Sequence, residues 1–343
     1  MATPPTLAER TTLRVGGPAD EWVVAGSGAE LVDAVLTADA AGTPVLLLGG
    51  GSNLLVADAG FAGTVVEVDS RGIEVDVVGD VVHLAVAAGE PWDAVVDHAV
   101  ANGWSGIEAL AGIPGRVGAT PIQNVGAYGQ DVSQTVASVR VLDRADGEVR
   151  TLEGADCGFG YRMSRFKVDA GRWAVLSVTL RLSATGTGVV RYAELARGLG
   201  VAVGDLAPVE DIRAGVLALR SRKGMVLDDT DPDTWSAGSF FTNPVVDDAL
   251  ALRIPEGCPR YPSAFGTKLS AAWLIEKAGI GRGFALSEDA PAAISGKHTL
   301  ALTNRGGATA ADIMDLARVV RAAVRTRFAV ELDIEPTLVG LTP

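Results

Sequence analysis

Residues 106–129 read Gly106-Ile-Glu-Ala-Leu-Ala-Gly112-Ile-Pro-Gly115-Arg-Val-Gly118-Ala-Thr-Pro-Ile-Gln-Asn-Val-Gly126-Ala-Tyr-Gly129. The glycines punctuate a long stretch with neither a helical nor a strand period. A compact domain rarely keeps such a loop unless it serves a purpose. Gln123 and Asn124 bring amide donors and acceptors, and Tyr128 an aromatic face with a hydroxyl. These groups suit the polar edge of a flavin ring and its pyrophosphate. An ordered Ω-loop is the other reading the residues leave open.

A second glycine cluster lies upstream, at Leu48-Gly49-Gly50-Gly51-Ser52-Asn53-Leu54-Leu55. It follows Pro44–Leu48, an apolar run that reads as a buried strand. Consecutive glycines let backbone approach a ligand closely, and their N–H groups can converge on a diphosphate. The cluster lacks the Gly-Lys-Ser/Thr ending of a P-loop and the spacing of a dinucleotide GxGxxG. A phosphate loop and a plain tight turn both fit it.

Around these loops the pattern is mixed α/β. Glu30–Ala41 has a broad apolar helical face ending at Gly42. Thr64–Val68 reads as a strand. Ile73–Val78 and Val81–Ala87 read as a hairpin turning at Gly79-Asp80. Pro91–Ala101 reads as a helix with proline at its first position. Strands are expected at Ala137–Leu142 and Ala174–Leu182, then a glycine- and alanine-rich connection over 183–207. Pro208–Lys223 carries Ile212, Val216 and Leu219 on one helical face. Helices follow at Ser270–Ala278 and Ala310–Phe328, the latter capped by Thr309 with Asp312 three residues on. A strand is expected at Val330–Asp333.

Composition narrows the function. The 343 residues carry a net charge of −13, so a nucleic-acid partner loses weight. Any anionic ligand must be held by local groups. Cys157 and Cys258 form no CxxC pair, and His83, His98 and His298 are scattered, so no metal site is expected. No apolar run reaches the length of a membrane-spanning helix. A cytoplasmic monomer is the expectation.

Several ordered segments together resemble the UDP-N-acetylenolpyruvoylglucosamine reductase (MurB) family. They are Thr12-Leu13-Arg14-Val15-Gly16-Gly17-Pro18-Ala19, the two glycine loops, Phe159-Gly160-Tyr161-Arg162-Met163-Ser164, Gly238-Ser239-Phe240-Phe241-Thr242-Asn243-Pro244, Lys268-Leu269-Ser270-Ala271-Ala272-Trp273-Leu274 and Ile334-Glu335-Pro336. The resemblance implies an α/β (α+β) architecture. It comprises a vanillyl-alcohol-oxidase (PCMH-type) FAD-binding region of two subdomains, 1–70 and 71–205, and a C-terminal α+β substrate-binding domain, 206–343. Arg191-Tyr192-Ala193-Glu194-Leu195 and the residues to Lys223 resemble the tyrosine-loop type I branch. Arg116 departs from the pattern, standing where a small residue is expected.

The resemblance also implies the chemistry: NADPH-dependent reduction of the enolpyruvyl ether of UDP-N-acetylglucosamine to UDP-N-acetylmuramate, for peptidoglycan precursors. Non-covalent FAD carries the redox step. FAD contacts fall on Gly49, Gly50, Gly51, Ser52, Asn53 and Leu54, and on Gly112, Ile113, Pro114, Gly115, Val117, Gly118 and Ala119. Ile122, Gln123, Asn124 and Gly126 complete them. Arg162 is the expected stabiliser of an enolate-like intermediate, with Glu335 beside it, and Ser239 the expected proton donor. Tyr128, Tyr192, Lys223, Asn243 and Lys268 are the expected contacts to the UDP-sugar. Read without the resemblance, Arg162 is an ordinary surface residue and Ser239 a turn cap. An alcohol oxidase or dehydrogenase of the same flavin fold is the alternative enzyme. A non-catalytic nucleotide-binding module is the alternative outside enzymology.

Overall fold

A computed structural model of the chain describes residues 5–263 and 265–343. It divides into two compact units. One comprises Ala19–Gly50 and Ala62–Arg222; the other comprises the N-terminal segment to Pro18, Gly51–Phe61 and Lys223–Pro343.

The first of these units holds two sheets of three or more strands. In the smaller, Phe61–Val68 lies between Ala19–Ala25 and Val45–Leu48, the latter pair parallel with Leu46 opposite Val65. The helix Gly28–Ala40 starts at Ser27, whose side chain accepts from the Glu30 N–H. It buries Leu31, Val35 and Ala38, spaced three and four apart as one helical face requires. The larger sheet is antiparallel, ordered Glu148–Glu153, Val136–Asp143, Trp173–Ser183, Val81–Ala87, Ile73–Val78. Its central strand starts with the buried run Trp173–Leu176 and then alternates, burying Val178, Leu180 and Leu182. The Ile73–Val78 and Val81–Ala87 hairpin turns at Gly79 (φ +59) as read from the sequence.

The other unit is built on the helix Ala310–Phe328. Thr309 and Asp312 form its capping box, and Ile313, Met314, Leu316, Ala317, Val320 and Val324 are buried. Each large apolar side chain buried here contributes about 1.5–3 kcal/mol, an upper estimate. Leu54–Val56 pairs in parallel with Thr337–Val339. Asn304 ties the N-terminal segment down, its Nδ2 donating to Leu13 O (3.2 Å) and Arg14 O (3.1 Å).

Three local expectations change. Pro91 is the N-cap of the helix Trp92–Ala101, with extended backbone, and bridges to Arg116. The 183–207 segment holds a helix, Ala193–Leu199, and a strand pair, Thr187–Val189 with Leu206–Pro208. Its short helix buries only Leu195 and Ala196, too few for a readable period. Val330–Asp333 is not a strand. Ala329 (φ +55) turns the chain out of the helix, Val330 and Leu332 are buried singly, and pairing begins only at the Phe241–Ile334 bridge.

The helix Val209–Arg222 buries Ile212, Val216 and Leu219 in the core of the sheet-bearing unit, which runs to Arg222. The 51–61 segment goes with the other unit through its pairing to Thr337–Val339.

Candidate active site

In the sheet-bearing unit the two glycine clusters meet backbone to backbone. A Cβ on Gly50 would stand 2.7 Å from Gly115 Cα, so no side chain fits at Gly50, and Gly115 takes φ +127. The N–H groups of Gly49, Gly50 and Gly115 have no hydrogen-bond partner among the described residues. N–H donors left unpaired at a seam too tight for a side chain can take a diphosphate, a donor set that fits FAD. Other members of the downstream loop secure it. Val117 is buried and donates its N–H to Glu90 O (2.9 Å), Gly118 donates to Ala88 O (2.8 Å), and Gly112 N–H donates to Asp93 Oδ1 (2.6 Å).

Beyond this cradle the loop is held in left-handed backbone at two non-glycine residues, Asn124 (φ +45) and Tyr128 (φ +50). Asn124 offsets the cost with side-chain bonds: Nδ2 to Gly160 O (2.9 Å), and Oδ1 from Ser133 N–H (3.1 Å). Arg162 is a third such residue (φ +52), and its guanidinium donates to Gly126 O (2.6 Å) and Asn124 O (3.3 Å). Gln123 Oε1 accepts from Lys167 Nζ (2.9 Å), which also donates to Arg162 O (3.1 Å). Strain concentrated on one cluster of polar residues is a mark of function. Tyr128 and Tyr192 meet edge to face, centroids 5.2 Å apart.

In the other unit the backbone brings two of the expected groups together. Glu335 N–H donates to Phe240 O (2.9 Å), and Thr242 N–H to Asp333 O (3.1 Å), so the Ser239-bearing segment runs antiparallel to the Glu335-bearing one. Two residues past Glu335, Thr337 N–H donates to Asn53 O (2.9 Å). Glu335 thus lies between Ser239–Phe241 and the Ser52–Leu54 end of the first glycine cluster. Ser239 and Glu335 are both half-buried. Asn243 Oδ1 accepts from Ala271 N–H (2.9 Å), which spends its carbonyl on the start of the helix Ala271–Lys277. Lys268 stands opposite Tyr261 in the register, its Nζ 5.7 Å from that ring's centroid. Lys223, half-buried, directly follows the helix Val209–Arg222.

The profile of the UDP-N-acetylenolpyruvoylglucosamine reductase C-terminal domain matches residues 231–339, and that of an FAD binding domain matches residues 19–153. A UDP-N-acetylenolpyruvoylglucosamine reductase of Thermobifida fusca is 53% identical over 349 residues, covering 98% of this chain and 97% of its own. One from Salinispora arenicola is 54% identical over 347 residues, covering 97% and 94%. The chain belongs to the UDP-N-acetylenolpyruvoylglucosamine reductase family. The crystal structure of the Thermus caldophilus member superposes with a TM-score of 0.66 at 28% identity, covering 98% of this chain and 97% of that one. A PCMH-type FAD-binding domain followed by the family's C-terminal domain is therefore the architecture, and the reductase reaction of peptidoglycan precursor synthesis is the family's activity.

Against the family motifs, the structure adds residues that sequence reasoning passed over. Ser164 Oγ donates to Ile122 O (2.7 Å) while accepting from Lys167 N–H, so one serine both caps a short helix and anchors the Arg162 turn. Ser164 closes the Phe159–Ser164 motif, and the Ser164-x-x-Lys167 spacing marks its capping role. Glu108, fully buried, accepts from Gly106 N–H (2.6 Å) and Gln130 Nε2 (2.7 Å), while Gln130 Oε1 accepts from Ala109 N–H (2.8 Å). Nothing in the local sequence distinguishes that buried carboxylate from a surface one. Among the described residues no group of three or more His, Cys, Asp and Glu gathers as for a metal ion. No described helix is long and apolar enough to cross a membrane.

Proposed function

We propose that the chain reduces the enolpyruvyl ether of UDP-N-acetylglucosamine to UDP-N-acetylmuramate, with non-covalent FAD and NADPH, as a type I, tyrosine-loop member. The carrying observation is the pairing of the Ser239 segment with Glu335, next to the end of a glycine loop. FAD, when bound, supplies the hydride chemistry between NADPH and the substrate's methylene carbon. Gly49–Leu54, Gly112–Gly115, Val117–Ala119, Ile122–Asn124 and Gly126 would hold it.

Hydride addition to the methylene carbon leaves negative charge on the neighbouring carbon and its carboxylate. Arg162 offsets that charge, its guanidinium held against the carbonyls of Gly126 and Asn124 and so pre-oriented. Ser239 gives the proton to the carbon that bears the ether oxygen, and Glu335 on the adjacent segment assists that transfer. Tyr128, Tyr192, Lys223, Asn243 and Lys268 bind the UDP-sugar. For Asn243 this falls to Nδ2, since Oδ1 is engaged by Ala271.

The expected outcome is NADPH consumption that depends on the enolpyruvyl sugar nucleotide, one equivalent per UDP-N-acetylmuramate formed, followed at the NADPH absorbance band. Consumption indifferent to that substrate would reject the reading. Activity on simple alcohols instead would favour an oxidase of the same flavin fold.

A further inference from the structure

Arg116 interrupts the run Ile113-Pro114-Gly115-Arg116-Val117-Gly118 with a large cation. Its stem lies on the first glycine cluster: a Cβ on Gly49 would stand 3.4 Å from both Cβ and Cγ of Arg116. The side chain thus starts at the seam where Gly50 meets Gly115. Its head is held at one corner only, Nη2 to Asp69 Oδ1 at 3.1 Å. Nε and Nη1 have no hydrogen-bond partner among the described residues. The side chain is nevertheless mostly covered, 21% exposed.

Asp69 is shared. Arg71 Nη2 reaches the same Oδ1 at 2.5 Å, and Arg71 Nη1 lies 3.8 Å from Glu90. Burial lowers the Arg116 pKa from its ordinary value and Arg71 lowers it further, while Asp69, Glu67 and Glu90 pull the other way. Only one corner of the Arg116 fork is engaged, so Nε and Nη1 can take another anion. On a chain of net charge −13, attraction for a diphosphate must be local.

We infer that Arg116 binds the diphosphate of FAD, adding a cationic fork to the N–H cradle of Gly49, Gly50 and Gly115. The inference rests on this unit holding FAD. It makes Arg116 a binding residue with no part in the chemistry, and its effect must depend on the phosphates.

The test is titration of the full-length apoprotein with FAD and with riboflavin, followed by flavin fluorescence, for the wild type, Arg116→Gln and Arg116→Lys. Losing one charge-assisted contact should weaken FAD binding about ten- to hundredfold in Arg116→Gln. Riboflavin affinity and the apoprotein's melting temperature should stay unchanged, and Arg116→Lys should retain most of the FAD affinity. Unchanged FAD affinity in Arg116→Gln overturns the inference. So does an equal loss for FAD and riboflavin, which would make Arg116 a loop brace. If Arg116→Gln does not fold, Arg116→Lys and the wild type decide: the FAD constant should weaken with added salt and the riboflavin constant should not, and equal salt dependence overturns the inference. A wild type that binds riboflavin but not FAD would sink the FAD reading itself. An altered Michaelis constant for the UDP-sugar with intact FAD affinity would assign Arg116 to the wrong diphosphate.

Discussion

At the scale of single residues, the telling feature is left-handed backbone where no glycine stands. Arg162 (φ +52) keeps a conformation that glycine tolerates and other residues resist, while its guanidinium is fixed on two loop carbonyls. Two small replacements should therefore match in activity and differ in stability. Arg162→Ala and Arg162→Gly should both lose about 10²–10³ in kcat, since each removes the charge proposed to meet the enolate. Arg162→Gly should nevertheless melt above Arg162→Ala, because it relieves strain of roughly 1 kcal/mol. Paired turnover and melting measurements check this. Equal melting temperatures would mean that no strain is stored there. The roles proposed for Arg162, Ser239 and Glu335 come from family motifs alone, because an arginine after tyrosine or a serine before two phenylalanines is chemically unremarkable.

At the scale of elements, the hairpin Gly126–Ala127 with Gln130–Asp131 carries Tyr128 on its turn and offers Gly126 O to Arg162. It is fastened from behind by the Glu108–Gln130 pair. Gln130→Ala would leave a buried carboxylate short of a donor, at a cost of about 1–3 kcal/mol. A double-mutant cycle of Gln130→Ala with Glu108→Ala, read by denaturant unfolding, should show coupling of at least about 1 kcal/mol. Additive losses would show that the pair does not hold the hairpin. The longer helices and four of the five strands of the larger sheet were legible because their faces repeat at 3.6 or 2 residues and their caps are local: Thr309 with Asp312 is a plain example, whereas the edge strand Glu148–Glu153 went unread. The helix Ala193–Leu199 and the irregular segment after Ala329 were not, since one has too few buried residues and the other pairs only with distant chain.

At the scale of the whole molecule, charge is excessive overall and carefully matched locally. Asp143, nearly inaccessible, accepts from Arg172 (2.7 and 2.9 Å), Arg150 (2.7 Å) and the Ala145 N–H (3.1 Å). The Arg172 bond is the main cause that holds its pKa at about 2, below the ordinary 3.8. A carboxylate depressed in the folded state stabilises fully above the unfolded value and loses that contribution as pH falls toward the folded one. Wild-type stability should therefore drop relative to Asp143→Asn between pH about 4 and about 2, and the difference should be flat above pH 5. Denaturant titrations across that range check it. A gap that keeps changing between pH 5 and 7 would mean another group is responsible. The interleaved units escaped a linear reading for a related reason: which core claims the Val209–Arg222 helix depends on tertiary packing, whereas the sequence marks only its apolar face.

The central claim is that Ser239 supplies the proton in a flavin reductase whose two half-reactions are separable. Stopped-flow spectroscopy of Ser239→Ala measures both. NADPH should reduce the bound flavin at close to the wild-type rate, and reoxidation by the enolpyruvyl sugar nucleotide should slow about 10²–10⁴-fold. Equal slowing of both steps, or reoxidation at the wild-type rate, would contradict the account.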